Sequence, residues 1–224
     1  MKVFIYGNGD FAKLVKEYFD WSGKYKVEGF IVDREYLKAP SFCGLPVYSL
    51  EECEDRFPRS QFGCFVAIGY KNMNRIRGEK ILLMKEKGYE LVSYIDSSSR
   101  IAPNVQIGDN CFIMENAVCQ PGASIGDGVL VGTGTCVGHD VTVQKNCFIS
   151  AGVIIGGFVK VGENSFVGIN ASIKDGLDIA DFTLVGASAY IAKNTKTFGA
   201  YLVEHTRDIL KKVECRKEIQ SNLL

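Results

Sequence analysis

The sequence predicts a small α/β domain with a parallel sheet over residues 1–96, an all-β solenoid over 97–196 and a helical cap over 197–224. Three observations carry that division. Strand-like and helix-like runs alternate in the first segment, a six-residue period fills the second, and the period stops at Lys196.

The chain opens on the apolar strand KVFIY (2–6), which runs into Gly7-Asn8-Gly9-Asp10-Phe11-Ala12. The amphipathic stretch AKLVKEYFDW follows, with Leu14, Val15, Tyr18 and Phe19 along one side. A second strand, VEGFIVD (27–33), ends in Asp33. After a turn-rich segment from Pro40 to Pro46, Ser49 and Glu52 have the spacing of a capping box and mark a helix start. GCFVAIG (63–69) is the third strand, NMNRIRGEKILLMKEKG a long helix, and ELVSYI (90–95) a last strand. Such alternation builds a parallel sheet, and ligands sit at the carboxyl ends of its strands.

Gly7 and Gly9 would let the backbone approach a phosphate, with Asp10 at the opening of a helix whose free N–H groups attract anions. Asp33 can accept hydrogen bonds from a ribose or a base. Gly69 and Asn72, with Asn74 and Arg75, cluster at a later strand end. Ala12 stands where a dinucleotide fingerprint has its third glycine, and only two crossover units precede the repeat. A mononucleotide or nucleotide-sugar pocket suits this segment better than NAD.

From Ile101 the chain divides into sixteen consecutive hexads, from IAPNVQ to IAKNTK. Position one is Ile or Val in fifteen of them, Cys119 being the exception; position two is Gly in eight, and position four is Asn, Asp or Gly in thirteen. Position five is small or β-branched almost throughout. Period six is neither helical nor simple strand alternation. Short strands joined by tight corners explain it: position one points inward, position five fits a narrow interior, and Asn or Gly at position four takes φ > 0 at a corner. Three such sides close one triangular coil, so the hexads make about five coils, stacked at the ~4.8 Å strand spacing into a prism roughly 25 Å tall.

After Lys196, TFGAYLVEHTRDILKKVECRKEIQ reads as a helix with Leu202, Val203, Ile209, Leu210 and Val213 on its apolar face. It would cap the open end of the solenoid, and His205 would be a surface or packing residue.

Composition narrows the function classes. The 224 residues carry 26 basic and 26 acidic side chains and are 46% apolar, which leaves no basic surface for nucleic acid or an anionic membrane. No apolar run approaches the ~20 residues of a membrane span, and the N-terminus lacks a signal-peptide core, so the expected location is cytoplasmic. Eight cysteines without a CxxC pair read as small buried thiols, not a disulfide or zinc framework. With only His139 and His205, a three-histidine zinc site is excluded, and no metal is expected.

His139 is the one histidine of the solenoid, at position three of VGHDVT, so its side chain should leave a corner outward; Asp140 follows it. Imidazole can take a proton at neutral pH, and an adjacent acid can fix its tautomer. Cys136, three residues earlier, is the rival nucleophile.

A glycine-turn α/β domain, an AIG-x-x-N strand end and a hexapeptide solenoid with a His-acid pair together resemble the hexapeptide-repeat nucleotide-sugar N-acetyltransferases, over about residues 1–196. The bacillosamine, perosamine and viosamine enzymes are of this kind, and sialic-acid O-acetyltransferases share the architecture. The resemblance implies a left-handed coil, a homotrimer, and acetyl-CoA or another acyl-CoA lying in the groove between neighbouring prisms. It implies a nucleotide-linked amino sugar in the front domain, a 4-amino-dideoxy sugar being favoured. It also implies His139 as general base with Asp140, direct transfer, and a main-chain contact near the thioester at Gly156 and Gly157. The pathway would be glycan or lipopolysaccharide precursor synthesis. The chain departs from the family at Gly132, where an Asn is common, at Phe148, where a second His is common, and in its tail. A bulkier acyl group stays open, as do O-acyl transfer and a catalytically silent nucleotide-sugar scaffold.

Overall fold

The computed structural model describes residues 1–204. In the front domain, β1 (Lys2–Tyr6), β2 (Lys26–Val32), β4 (Leu45–Ser49) and β5 (Gly63–Val66) are parallel, and β3 (Ser41–Phe42) pairs antiparallel with β4. The order is β3-β4-β2-β1-β5, so β1 is central. The turn-rich segment therefore holds a small hairpin that the sequence reading did not contain. Helix α1 (Asp10–Ser22) buries Ala12, Val15, Tyr18 and Phe19 and stops at Gly23, which takes the left-handed conformation. Ser49 and Glu52 form the expected capping box ahead of the single turn α2 (Cys53–Arg56). Helix α3 (Arg75–Glu86) completes the domain.

The solenoid is a prism of three parallel sheets. A seven-stranded docking face runs from Tyr94–Ile95 to Ala200–Tyr201, a six-stranded thiol face from Arg100–Ile101 to Tyr190–Ile191, and a five-stranded polar face from Gln106–Ile107 to Asp178–Ile179. Position-one residues such as Ile113, Ile125, Val131 and Val137 stack inside as one core. Position five is mostly buried too, and four of its polar members share one device. Cys111, Thr135, Cys147 and Ser165 each donate to the carbonyl fifteen residues on, those of Gly126, Ser150, Gly162 and Ala180. These cysteines are compact donors to corner carbonyls.

Both ends of the repeat differ from the sequence expectation. Tyr94–Ile95 pairs with Phe112–Ile113, so the run 90–95 is split. Leu91 still bridges to Cys64 in the front sheet, while the next residues already form the first rung of the prism. At the other end the expected helix from residue 197 is corrected: Ala200–Tyr201 is a strand pairing with Leu184–Val185. That coil spans sixteen residues instead of eighteen, which hides it from a six-residue count. The rest of the expected cap, with His205, lies outside the described residues.

The front domain sits on the docking face. Phe112 and Leu130 point outward from that face and join the core built by α1 and the front sheet. Asn110 extends the edge of β5, accepting from Val66 N and donating to Val66 O. Residues Asn72, Met73 and Asn74 all have positive φ and wrap the chain onto the prism, where the Asn74 amide donates to the carbonyls of Asn164 and Ser165. Arg75 lies over the ring of Phe182 at 4.5 Å.

Fully buried Arg77 locks the joint. Its guanidinium donates to the carbonyls of Gly128 (3.1 Å), Asn146 (2.7 Å), Cys147 (3.3 Å) and Gly69 (3.2 Å), and to Asn74 Oδ1 (3.0 Å). Burial pulls its pKa down to about 10, which leaves it charged at neutral pH. Replacing Arg77 by Met strands these acceptors without water. Arg77→Met is expected to lose about 3 kcal/mol or more in urea unfolding, with a front-domain transition separating from that of the solenoid.

Candidate active site

His139 stands outward at the corner between the thiol and polar faces, and its side chain is half exposed. Asp140 follows in the left-handed conformation (φ 56°), which turns its carboxylate back so that Oδ2 lies 3.0 Å from His139 Nδ1. The main chain of His139 is held on both sides: its N–H donates to Gln120 Oε1 (3.0 Å) and its carbonyl accepts from Phe158 N (3.0 Å). With Nδ1 engaged by the carboxylate, Nε2 is the nitrogen left for a substrate. It lies against Gly157 of the next coil, where a Cβ would come within 2.4 Å of it. Gly157 is the residue that makes room for the ring.

The two glycines of this corner are not equivalent. The Gly156 N–H is taken by the Ile173 carbonyl at 2.9 Å and is not free for a ligand. The Gly157 N–H has no hydrogen-bond partner among the described residues. Cys136 points outward from the thiol face beside Val118 and Ile154 and makes no hydrogen bond to His139. That geometry does not support a Cys-His nucleophile pair.

The second cluster lies at the carboxyl ends of the front strands. Gly7 follows β1 with φ +123°, and a Cβ there would meet the Ala67 carbonyl at 2.8 Å. Gly9 precedes α1, which has no side-chain cap, and Asp10 is exposed in its first turn. Asp33, just past β2, accepts from Tyr6 Oη and from Lys80 Nζ, each at 2.7 Å, on Oδ1. Burial first, then the Asp33 carboxylate, pushes the Tyr6 hydroxyl well above its ordinary range, so it remains a donor. A shallow cavity of about 660 Å³ is lined by Asp33, Arg34, Glu35 and Lys80. Lys80 and Arg34 stand there with two carboxylates, Asp33 and Glu35, a mixed set of charges that can meet phosphates and a hydroxyl-bearing ring.

Gly7, Gly9, Asp10 and Asp33 thus share one end of the sheet. Gly69 lies just past β5 with its carbonyl bound by Arg77, and the exposed Asn72 belongs to the docking turn. Sequence reasoning missed Lys80 and Tyr6. Lys80 is one of many charges on α3, and only the register of that helix across β2 singles it out. Among the described residues no group of three or more His, Cys, Asp or Glu side chains could hold a metal ion, and no helix is long and apolar enough to cross a membrane.

The two clusters face apart. Front-domain contacts fall on the docking face and its flanking corners, whereas His139 occupies the corner opposite that face. Gly132 and Phe148 also lie away from His139. A Cβ at Gly132 would collide with Ala151 N, and Phe148 packs on Tyr70 and Phe166 of the docking side.

Comparison with known proteins agrees with this architecture. Residues 2–82 match the PglD N-terminal domain, and residues 104–139 and 158–193 match the hexapeptide repeat of succinyl-transferase. The acetyltransferase domain of PglB from Neisseria gonorrhoeae superposes with TM-score 0.80 at 28% identity, over 90% of this chain and 96% of that one. The chain is a hexapeptide-repeat acyltransferase. Its solenoid is accordingly a left-handed β-helix. A histidine-to-asparagine variant of perosamine N-acetyltransferase from Caulobacter crescentus, in complex with CoA and GDP-perosamine, superposes with TM-score 0.81 at 25% identity, over 91% of this acyltransferase and 94% of that chain. No curated protein matches the sequence closely enough to count as a relative.

The thiols of the acyltransferase offer a direct check on the geometry. Cys43 is exposed and Cys136 half exposed, whereas Cys53, Cys64, Cys111, Cys119 and Cys147 are buried. Burial raises Cys111 and Cys147 to about 12 and Cys119 to about 11. Peptide mapping after brief maleimide treatment at pH 7 is expected to find label on Cys43 and Cys136, with the five buried thiols reacting only after denaturation.

Proposed function

We propose that the chain transfers an acyl group, acetyl in the first instance, from an acyl-CoA to the amine of a nucleotide-linked amino sugar. A 4-amino-dideoxy sugar is the favoured acceptor. The observation that carries this reading is the His139–Asp140 pair on a prism whose front domain holds a separate charged pocket. The perosamine enzyme, similar over nearly its whole length, binds CoA and GDP-perosamine together. The gonococcal domain binds acetyl coenzyme A.

Acyl-CoA supplies the activated thioester. His139 Nε2 accepts the amine proton as nitrogen attacks the thioester carbonyl, and returns it to the departing thiolate. Asp140 holds the tautomer with Nδ1 protonated and stabilises the imidazolium. The Gly157 N–H is a donor for the developing oxyanion. Gly7 and the first turn of α1, with Lys80 and Arg34, would hold the diphosphate, and Asp33 the nucleoside.

Because the two clusters face apart within one chain, the reading requires that His139 of one subunit serve the pocket of another. A homotrimer with three sites between prisms satisfies this, and we assign the protein to glycan or lipopolysaccharide precursor synthesis in the cytoplasm. The test is incubation with acetyl-CoA and UDP-, dTDP- and GDP-linked amino sugars, read by mass spectrometry. His139→Asn is expected to lower kcat by about 10²- to 10⁴-fold. No acylated product with any acyl-CoA, or a fully active His139→Asn, overturns the reading.

A further inference from the structure

Ten non-glycine residues between Asn110 and Phe198 hold positive φ at corners of the prism. Seven are Asn, Asp or Ser, which tolerate that conformation because a short polar side chain bonds locally. The other three are phenylalanines: Phe158, Phe182 and Phe198, at φ 60°, 55° and 60°. Phe182 and Phe198 stack on each other at 5.0 Å, and Arg75 lies over both. Their strain is offset by packing that ties the front domain to the upper coils.

Phe158 has no such partner. It is 62% exposed, and its one ring contact is His139, edge-on at 4.8 Å and 89°. A bulky apolar residue held in a strained conformation, in water, against a single histidine needs a reason other than the fold. Backbone strain that nothing nearby repays is a feature of functional positions.

We infer that Phe158 is a positioning residue for His139. The inference rests on the reading of His139 as the base. Gly157 clears the space on one side of the imidazole, Asp140 holds Nδ1, and the Phe158 ring closes a further side. The Phe158 N–H also fixes the His139 carbonyl, so one residue restrains both main chain and ring. With these three contacts the imidazole keeps one rotamer, with Nε2 against Gly157.

The test compares Phe158→Asn and Phe158→Tyr with the parent and with His139→Asn. Asparagine suits the corner, so Phe158→Asn is expected to melt at or above the parent temperature. With only two histidines in the chain, imidazole ring resonances are assigned directly using His139→Asn. The His139 ring protons are expected to shift in Phe158→Asn as the ring current disappears, and to return towards parental positions in Phe158→Tyr. On the nucleotide sugar identified by the panel, kcat is expected to fall between about 10- and 100-fold in Phe158→Asn with KM little changed, and Tyr is expected to restore it.

Unchanged His139 resonances in Phe158→Asn overturn the proposal whatever the substrate. So does a melting temperature that falls with activity, or failure of Tyr to rescue. If His139→Asn is inactive while Phe158→Asn turns over like the parent, this proposal alone fails. If His139→Asn is fully active, the reading of the base fails first.

Discussion

One buried guanidinium holds the two halves of this molecule in register. Arg77 has no carboxylate partner and answers a set of main-chain carbonyls instead, three of them on the solenoid. Its desolvation is costly and is offset only while every donor finds an acceptor. That requirement sets the joint geometrically, because carbonyls at two successive corners and at the end of β5 must converge on one side chain. The left-handed turn at residues 72–74 and the Arg75 stack on Phe182 are the local arrangements that bring α3 to this point. Strand ends in the front domain, and hence the pocket around Asp33, take their place relative to the prism from this contact.

The prism then sets the opposite constraint. A triangular coil has three corners, and the front domain occupies one face. The His139 corner lies across the prism from that face, so the charged pocket and the imidazole are separated by the hydrophobic core. Rigid stacked coils cannot bend to bring them together. The proposed transfer is therefore a property of an assembly, with each chain contributing one half of two different sites.

Much of this was legible in the sequence because the solenoid repeats a physical requirement every six residues. An inward β-branched side chain and a left-handed corner recur at fixed positions, so each hexad reinforces the last. The position-four phenylalanines Phe158 and Phe182 obey the corner geometry against their own preference, as stacked coils impose it. Legibility failed where the period slipped. The last coil loses two residues, and TFGAYLV then has an apolar spacing that mimics a helix. It failed also for single contacts made across the fold. Arg77 and Lys80 look like ordinary charges on α3, and the Gly156 N–H looks like that of its neighbour Gly157. Only the register of α3 and the coil ladder separate these cases.

The placement of His139 across the prism from its own front domain has a genetic consequence. In an assembly built from such chains, a subunit with a ruined pocket still lends a working imidazole to its neighbour, and a subunit without the imidazole still offers an intact pocket. Two inactive alleles, one damaged in each half, would therefore restore activity when expressed together, because some mixed assemblies contain one junction made of two sound halves. Two alleles damaged in the same half would not. Dominance would follow the same arithmetic, since a single defective chain spoils only the junctions it enters.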